Sequence, residues 1–361
     1  MRILNYLLKI TVLLVSFLQL NAQAAPVISL QEYDDALVEV QNAFYTKWSE
    51  HNSTETDLNT AQTSLLPALI EGAKHFDLLL PIPFYRSYFR YREKYGEDVF
   101  NRSVVRAVAK NYIGASGVAS LFGSSAVNLE ELFLFSSLHP LTDDPLDAKF
   151  ISERTMSKIT HWLNGEVDPP SSFYEKMIYD ILEKIYLKFS PQKHPVFYKI
   201  LRQLHQAQIA STKVQNQNAT EKELIEVAFM KGALSACAGL YIAMNGMSTE
   251  QFKAALWFGG MLQILDDKKD VLIDQKEGIE TVFVREIRVN RSILNASQST
   301  LGLHEQVLSA LRAFPSVAAA YRRYFYREFS ILHLMDYERN IGLTISDPLK
   351  KKCGNLLKST N

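Results

Sequence analysis

Cysteine is nearly missing from this sequence of 361 residues: Cys237 and Cys353 are the only two, they make no CxxC, and they are too far apart for a disulfide scaffold. A cysteine zinc site is therefore excluded, and Cys237, inside the apolar run Ala233 to Ala243, is expected simply to pack. Glycine and proline are also scarce. The 15 Gly and 12 Pro are roughly 4% and 3% of the chain, against usual shares of ~7% and ~5%, which favours long helices and argues against an all-β fold. Neither sign of charge is in excess, with 39 Lys+Arg against 39 Asp+Glu, so a strongly basic nucleic-acid surface is lacking and no nucleic-acid partner is expected. The histidines form no HExxH, and neither GxSxG nor a glycine-rich phosphate loop occurs, so metalloprotease, serine-hydrolase and P-loop chemistry lack their starting residues.

What the chain does have is apolar mass, 47% hydrophobic residues, enough for a substantial core. The first residues stand apart. Arg2 and Lys9 flank the apolar stretch Ile10 to Leu20, which leads into Ala22-Gln23-Ala24, the pattern of a secretory signal peptide cleaved after Ala24. An uncleaved membrane anchor over residues 3–20 is the alternative. No later stretch holds the ~18 uninterrupted apolar residues of a membrane span. Residues 1–24 hold two basic and no acidic residues, so 37 basic and 39 acidic residues remain and the formal charge is −2. Residues 25–361 are expected to form a single all-α domain, with loops at Ser49 to Thr63, Gly165 to Ser172 and Gln215 to Ala219 and with no low-complexity linker to divide it.

Two long helices can be read from their caps. Thr220-Glu221-Lys222-Glu223 is a capping box, and Asn245-Gly246 suits the left-handed turn that ends a helix. Ser248-Thr249-Glu250-Gln251 then repeats the start signal, so a second helix returns antiparallel after a short turn. Its segment Ala254 to Leu265 is apolar nearly all round and is expected to be buried on most sides.

Where that apolar cylinder ends, acids appear: Asp266, Asp267, Asp270 and Asp274. Residues four apart drift by only about 40° around a helix, so Asp266, Asp270 and Asp274 make a carboxylate stripe about 12 Å long. Like charges at that spacing oppose the helix and call for a cation. An all-oxygen donor set with no neighbouring His or Cys suits a hard ion that keeps positions for water and phosphate, namely Mg²⁺. A solvated helix end neutralised by Lys268 and Lys269, for example through Asp266 to Lys269, is the alternative reading. A second cluster, Asp143-Asp144-Pro145-Leu146-Asp147, follows the apolar segment Leu129 to Leu138 and has the form DDxxD. It can also be read as a capped loop, because Asp caps helices and Pro145 should not sit in an unbroken helix interior.

Taken together, the two acidic motifs resemble those of the class I isoprenoid synthases, the superfamily of prenyl diphosphate synthases, squalene/phytoene synthases and class I terpene cyclases. The nearest flavour is the bacterial tetraprenyl-β-curcumene synthase-like group. Asp266, Asp270 and Asp274 match the spacing of the cyclase metal triad, and Asp266, Asp267 and Asp270 match DDxxD. Lys231, in Phe229-Met230-Lys231-Gly232, is similar to the family's diphosphate-binding lysine, and Lys276, in Lys276 to Thr281, falls near its Gly-Lys-x-Thr segment, with the order changed.

The resemblance implies an all-α bundle with a central apolar cavity. Three Mg²⁺ ions would be held by Asp143, Asp144, Asp147, Asp266, Asp267, Asp270 and Asp274, and a prenyl diphosphate would be bound through Lys231, Arg154, Lys276 and Arg339. Phe133, Tyr241, Trp257 and Phe258 are the candidate cavity aromatics. Ser152 and Glu153 stand where a prenyl synthase would carry paired arginines, so cyclisation or elimination by ionisation is expected ahead of chain elongation or head-to-head condensation. A non-catalytic exported protein that binds a polyprenyl lipid or a divalent ion is the alternative of a different class.

Tyr85 to Tyr95 and Tyr321 to Phe329 interleave arginine with aromatics. With no net charge the first reads as a mixed surface-and-core helix, and Arg90 or Arg92 could reach a diphosphate. Peripheral membrane contact and a homodimer both stay open.

Overall fold

The computed structural model describes residues 27–50, 82–124, 128–147, 152–215 and 218–328, and among them it contains twelve α-helices and no strand. In chain order these are α1 (Leu30–Ser49), α2 (Ile82–Tyr95), α3 (Arg102–Leu121), α4 (Leu129–Asp147), α5 (Glu153–Leu163) and α6 (Phe173–Lys188). There follow α7 (Pro195–Val214), α8 (Glu221–Met244), α9 (Thr249–Glu277), α10 (Val282–Asn290), α11 (Leu294–Ala310) and α12 (Pro315–Glu328). The fold is all-α. The segment 1–26, the stretch 51–81 and residues from 329 onward, among them Arg339, lie outside the described residues.

The antiparallel pair α8 and α9 forms the axis of the bundle, and the local chemistry that makes it is explicit. Thr220 Oγ1 accepts from the Glu223 amide at 3.2 Å, and the Glu223 carboxylate accepts from the Thr220 amide at 2.7 Å. Asn245 ends α8 at φ 60°, the Gly246 amide donates back to Tyr241 O at 2.9 Å, and Ser248 with Gln251 caps α9 in the same reciprocal way. Gly278, at φ 74°, stops α9 only after it has passed all four aspartates, so the carboxylate stripe is helical throughout.

The two helices cross in backbone contact. A Cβ at Gly259 would lie 2.5 Å from Gly232 O, and one at Gly232 would lie 2.6 Å from Gln263 Cβ. This approach is what sets Lys231 and Gly232 of α8 beside Gln263, Asp266 and Asp267 of α9. Around the pair, α7 and α3 pack on α8, α1 and α11 pack on α9, and α4 fills the side formed by α3, α6 and α2.

α1 has its own Ser29-Glu32 capping box and buries Tyr33, Leu37, Val40, Phe44 and Trp48, a helical stripe. Phe44 lies 4.7 Å from Phe229 and 5.6 Å from Trp257, ring centre to ring centre. α2 is the mixed helix its sequence suggests, with Phe84, Tyr91 and Tyr95 buried and Phe89 exposed. By length and composition alone α8 could cross a membrane, the one such helix among the described residues; most of that apolar stretch is buried inside the bundle.

Pro145 corrects an expectation. α4 continues through Pro140 and Pro145 to Asp147. The second proline sits in the last turn, where its missing amide forgoes the bond to the Leu141 carbonyl, and the helix ends soon after it, at Asp147. The Gly165 to Ser172 break does separate α5 from α6, and it is pinned from below. Lys158 and Glu175 are each only 5% exposed and pair at 2.8 Å, while Lys158 Nζ also donates to Pro169 O at 2.8 Å.

Candidate functional site

An apolar cavity of about 450 Å³ opens between α3, α4, α5, α6, α7, α8 and α9, with Val118, Leu138, Ile159, Ile178, Leu204 and Leu240 among its walls. Its volume and lining are those of a small-molecule pocket. The polar groups on the wall include a cluster where α3, α8 and α9 meet. Lys110 Nζ lies 3.6 Å from Asp266, and Lys231, 9% exposed, shares the wall with Gln263 and Asp266; Gln263 Nε2 also donates at 2.8 Å to Asp267, which like Asp270 and Asp274 is outside the lining.

The helix that carries the first acidic motif lines the same cavity, through Leu138, His139 and Thr142 among others. At the start of α4, Asn128 Nδ2 donates to Ile242 O at 2.9 Å, which ties it to the C-terminal end of α8. Thr142, the residue before the motif, lines the cavity as Asp266 does. The side chains of Asp143, Asp144 and Asp147 lie outside the described residues.

The chain matches no protein-family model and no curated protein. What the site can do is therefore a matter of its own chemistry. Burial, together with the charges of Asp266 and Asp270, pushes the Asp267 carboxyl up to about 7, although the Gln263 hydrogen bond and the Lys231 charge pull the other way. Burial and the neighbouring carboxylates Asp267, Asp270 and Asp266 push Asp274 up to about 8. Four acids on two turns of helix thus resist carrying their full charge together, the condition that a bound cation relieves. Lys269 supplies part of that charge, 3.6 Å from Asp266 and 3.4 Å from Asp270, and both pairs are exposed enough to be weak. Lys268, by contrast, is buried. Among the described residues, no three His, Cys, Asp or Glu side chains form a group that could hold a metal ion.

Both raised carboxyls carry a consequence for stability. Between the ordinary value of 3.8 and about 7 to 8, the folded chain keeps protons that the unfolded chain has released, so their contribution is complete below 3.8 and declines as pH rises to about 8. The double variant Asp267→Asn, Asp274→Asn is expected to flatten that decline in thermal melts. Mg²⁺ is expected to raise the Tm of the parent chain more near pH 8 than near pH 5. Equal Mg²⁺ shifts at both pH values would contradict a site built on these acids.

Of the candidate cavity aromatics, Phe258 lines the wall and the other three do not. Phe133 packs among Phe84, Tyr91 and Phe100, Tyr241 stacks on Phe197 at 5.5 Å, and Trp257 faces Phe44. Each is core because a large ring gains more by close packing than by bordering a void. Arg154 is exposed on the first turn of α5 and Lys276 on the last turn of α9, and neither lines the cavity. Arg90 is committed to Glu130 at 2.6 Å and Arg92 to Glu97. Lys110, Gln208, His205 and Ser136 line the cavity without any signal in the sequence, since no motif or spacing sets them apart from ordinary helix residues.

Proposed function

We propose that this protein is a Mg²⁺-dependent class I isoprenoid synthase, its bundle of that superfamily's type, which ionises a prenyl diphosphate, with cyclisation or elimination ahead of chain elongation. The observation that carries the reading is one apolar cavity in an all-helical bundle whose wall bears Asp266, Lys110 and Lys231 together, with Thr142, the residue before the DDxxD segment of α4, on the same wall.

The donor set fits a hard divalent ion: Asp266, Asp267, Asp270 and Asp274 offer only oxygen, their carboxyls crowd one another, and Asp143, Asp144 and Asp147 would complete the set from α4. Mg²⁺, when bound, neutralises the diphosphate and makes it a leaving group. Lys231 and Lys110 add fixed positive charge where negative charge grows as the carbon–oxygen bond breaks. The walls, rich in Leu, Ile and Val, keep bulk water from the tail, and Phe258 offers an allylic cation a ring face.

A second reading, a protein that binds an isoprenoid lipid or a divalent ion without turnover, is favoured by the lack of a converging metal group among the described side chains. One assay separates them. The purified chain, given geranyl, farnesyl, geranylgeranyl and longer prenyl diphosphates, is expected to release inorganic diphosphate only when Mg²⁺ is present. Binding of the same compounds without release would favour the carrier.

A further inference from the structure

α7 gives Leu201, Leu204 and Gln208 to the cavity, while Tyr198, Lys199 and Arg202 on the same helix border a second, open hollow of about 420 Å³. Leu30 at the start of α1 and Pro191 in the turn between α6 and α7 complete its rim. Around it, large apolar side chains stand in solvent. Leu187 at the end of α6 is 79% exposed and Tyr186 beside it 37%, with the Tyr186 ring edge-on to Tyr198 at 5.9 Å between centres. Leu30 and Val27 are exposed as well. Single exposed apolar residues are ordinary, but several gathered at one end of a bundle mark a contact surface.

The same end is basic. Lys188 and Lys193 are exposed, and neither they nor Arg202 make an ion pair among the described residues. Arg202 Nη1 makes only a long bond, 3.4 Å, to Leu163 O. Lys199 is matched by Asp34 at 2.6 Å, and the neighbouring acids of α1 are held locally, Glu32 by Thr249 Oγ1 at 3.0 Å and Asp35 by Gln31 Nε2 at 2.9 Å. Cations interleaved with Leu and Tyr suit the boundary between lipid headgroups and acyl chains.

The N-terminal sequence leads to this end. The apolar stretch Ile10 to Leu20 stops seven positions before Val27, a span of at most about 25 Å of extended chain. Ile28 is tied to the turn between α8 and α9 by its amide, which donates to Met247 O at 2.8 Å. Kept as an anchor or cut after Ala24, a leader that enters a bilayer leaves this end of the bundle beside it.

We propose that the end formed by the start of α1, the end of α6 and the Tyr198–Arg202 side of α7 docks on an anionic lipid bilayer. Leu187, Tyr186 and Leu30 enter the interface, Lys188 and Lys193 meet the negative surface, and Arg202 takes a headgroup phosphate in the hollow. This surface is separate from the cavity and does not rest on the reaction proposed above.

The test places a reporter at each end of α6 in the full chain. Leu187→Trp marks the docking end. Val167→Trp, in the loop before α6 and 94% exposed, marks the other; the three native tryptophans, Trp48, Trp162 and Trp257, are buried and give a constant background. With vesicles of phosphatidylglycerol and phosphatidylcholine, the emission of Leu187→Trp is expected to move to shorter wavelength and that of Val167→Trp to stay where it is. Adding Lys188→Gln and Lys193→Gln to Leu187→Trp is expected to raise the lipid concentration at half of that shift by about tenfold or more, as the loss of two surface cations implies. No shift in Leu187→Trp, or the same shift in both reporters, would overturn the docking end, and a lipid dependence unchanged by loss of both lysines would overturn its preference for an anionic surface.

Discussion

Asp270→Ala is expected to lower Mg²⁺-dependent diphosphate release by about a thousandfold, because it removes the central carboxylate of the stripe that would hold the cation against the leaving group. The fold should hardly notice. Asp270 is about one third exposed and its partner is Lys269 at 3.4 Å, an exposed pair of little value. A change in stability within about 0.5 kcal/mol is therefore expected from urea denaturation. Lys269→Ala breaks the same pair without touching a metal donor, and it should retain most of the release. Release that survives Asp270→Ala would show that the stripe does not bind the catalytic ion.

Lys158→Ala is expected to be the most damaging single change outside the cavity. Glu175 would lose its ammonium partner and stay buried, still accepting from the Ser171 amide at 2.7 Å and from Thr155 Oγ1 at 3.1 Å. Burial alone would raise its pKa, but the hydrogen bonds from Lys158, Ser171 and Thr155 outweigh that and hold it near 2. A buried carboxylate stripped of its cation costs about 3–5 kcal/mol, and the loop between α5 and α6 would lose its anchor at Pro169 O. Lys158→Met combined with Glu175→Gln removes both charges and should cost clearly less than Lys158→Ala alone.

The sign of the pH effect is opposite to that of the cavity acids. A carboxyl depressed from 4.5 to about 2 contributes stability above its unfolded value and loses it as pH falls through about 2. A double variant as unstable as the single one would mean that the loop, rather than the buried charge, sets the cost.

The α8 and α9 axis was legible because its ends are written in local chemistry. Thr220, Asn245 and Ser248 act within a few residues of themselves, and all three do in the fold what their sequence context implies. The aspartate stripe was legible for the same reason, since a helix of known pitch places Asp266 and Asp270 by arithmetic. The Ser29-Glu32 box of α1 is the same kind of local signal.

The cavity wall was not legible. Which ring borders a void and which fills one depends on how helices meet, and that is decided by contacts such as Gly232 against Gly259 whose partners are far apart in sequence. Trp257 and Phe258 are neighbours on α9, yet one faces Phe44 and the other the cavity. Lys110 joins Asp266 from a helix with no acidic or glycine motif of its own.

Crystals of the full chain grown with Mn²⁺ and inorganic diphosphate, measured at the manganese absorption edge, test the central claim most directly. The expected result is anomalous density within about 2.5 Å of the Asp270 carboxylate and of Asp143 or Asp147, with diphosphate between them and Lys231 in contact with it. Manganese found only elsewhere, or no manganese at these carboxylates with both ligands in excess, would contradict a cavity whose charged end grips divalent ions.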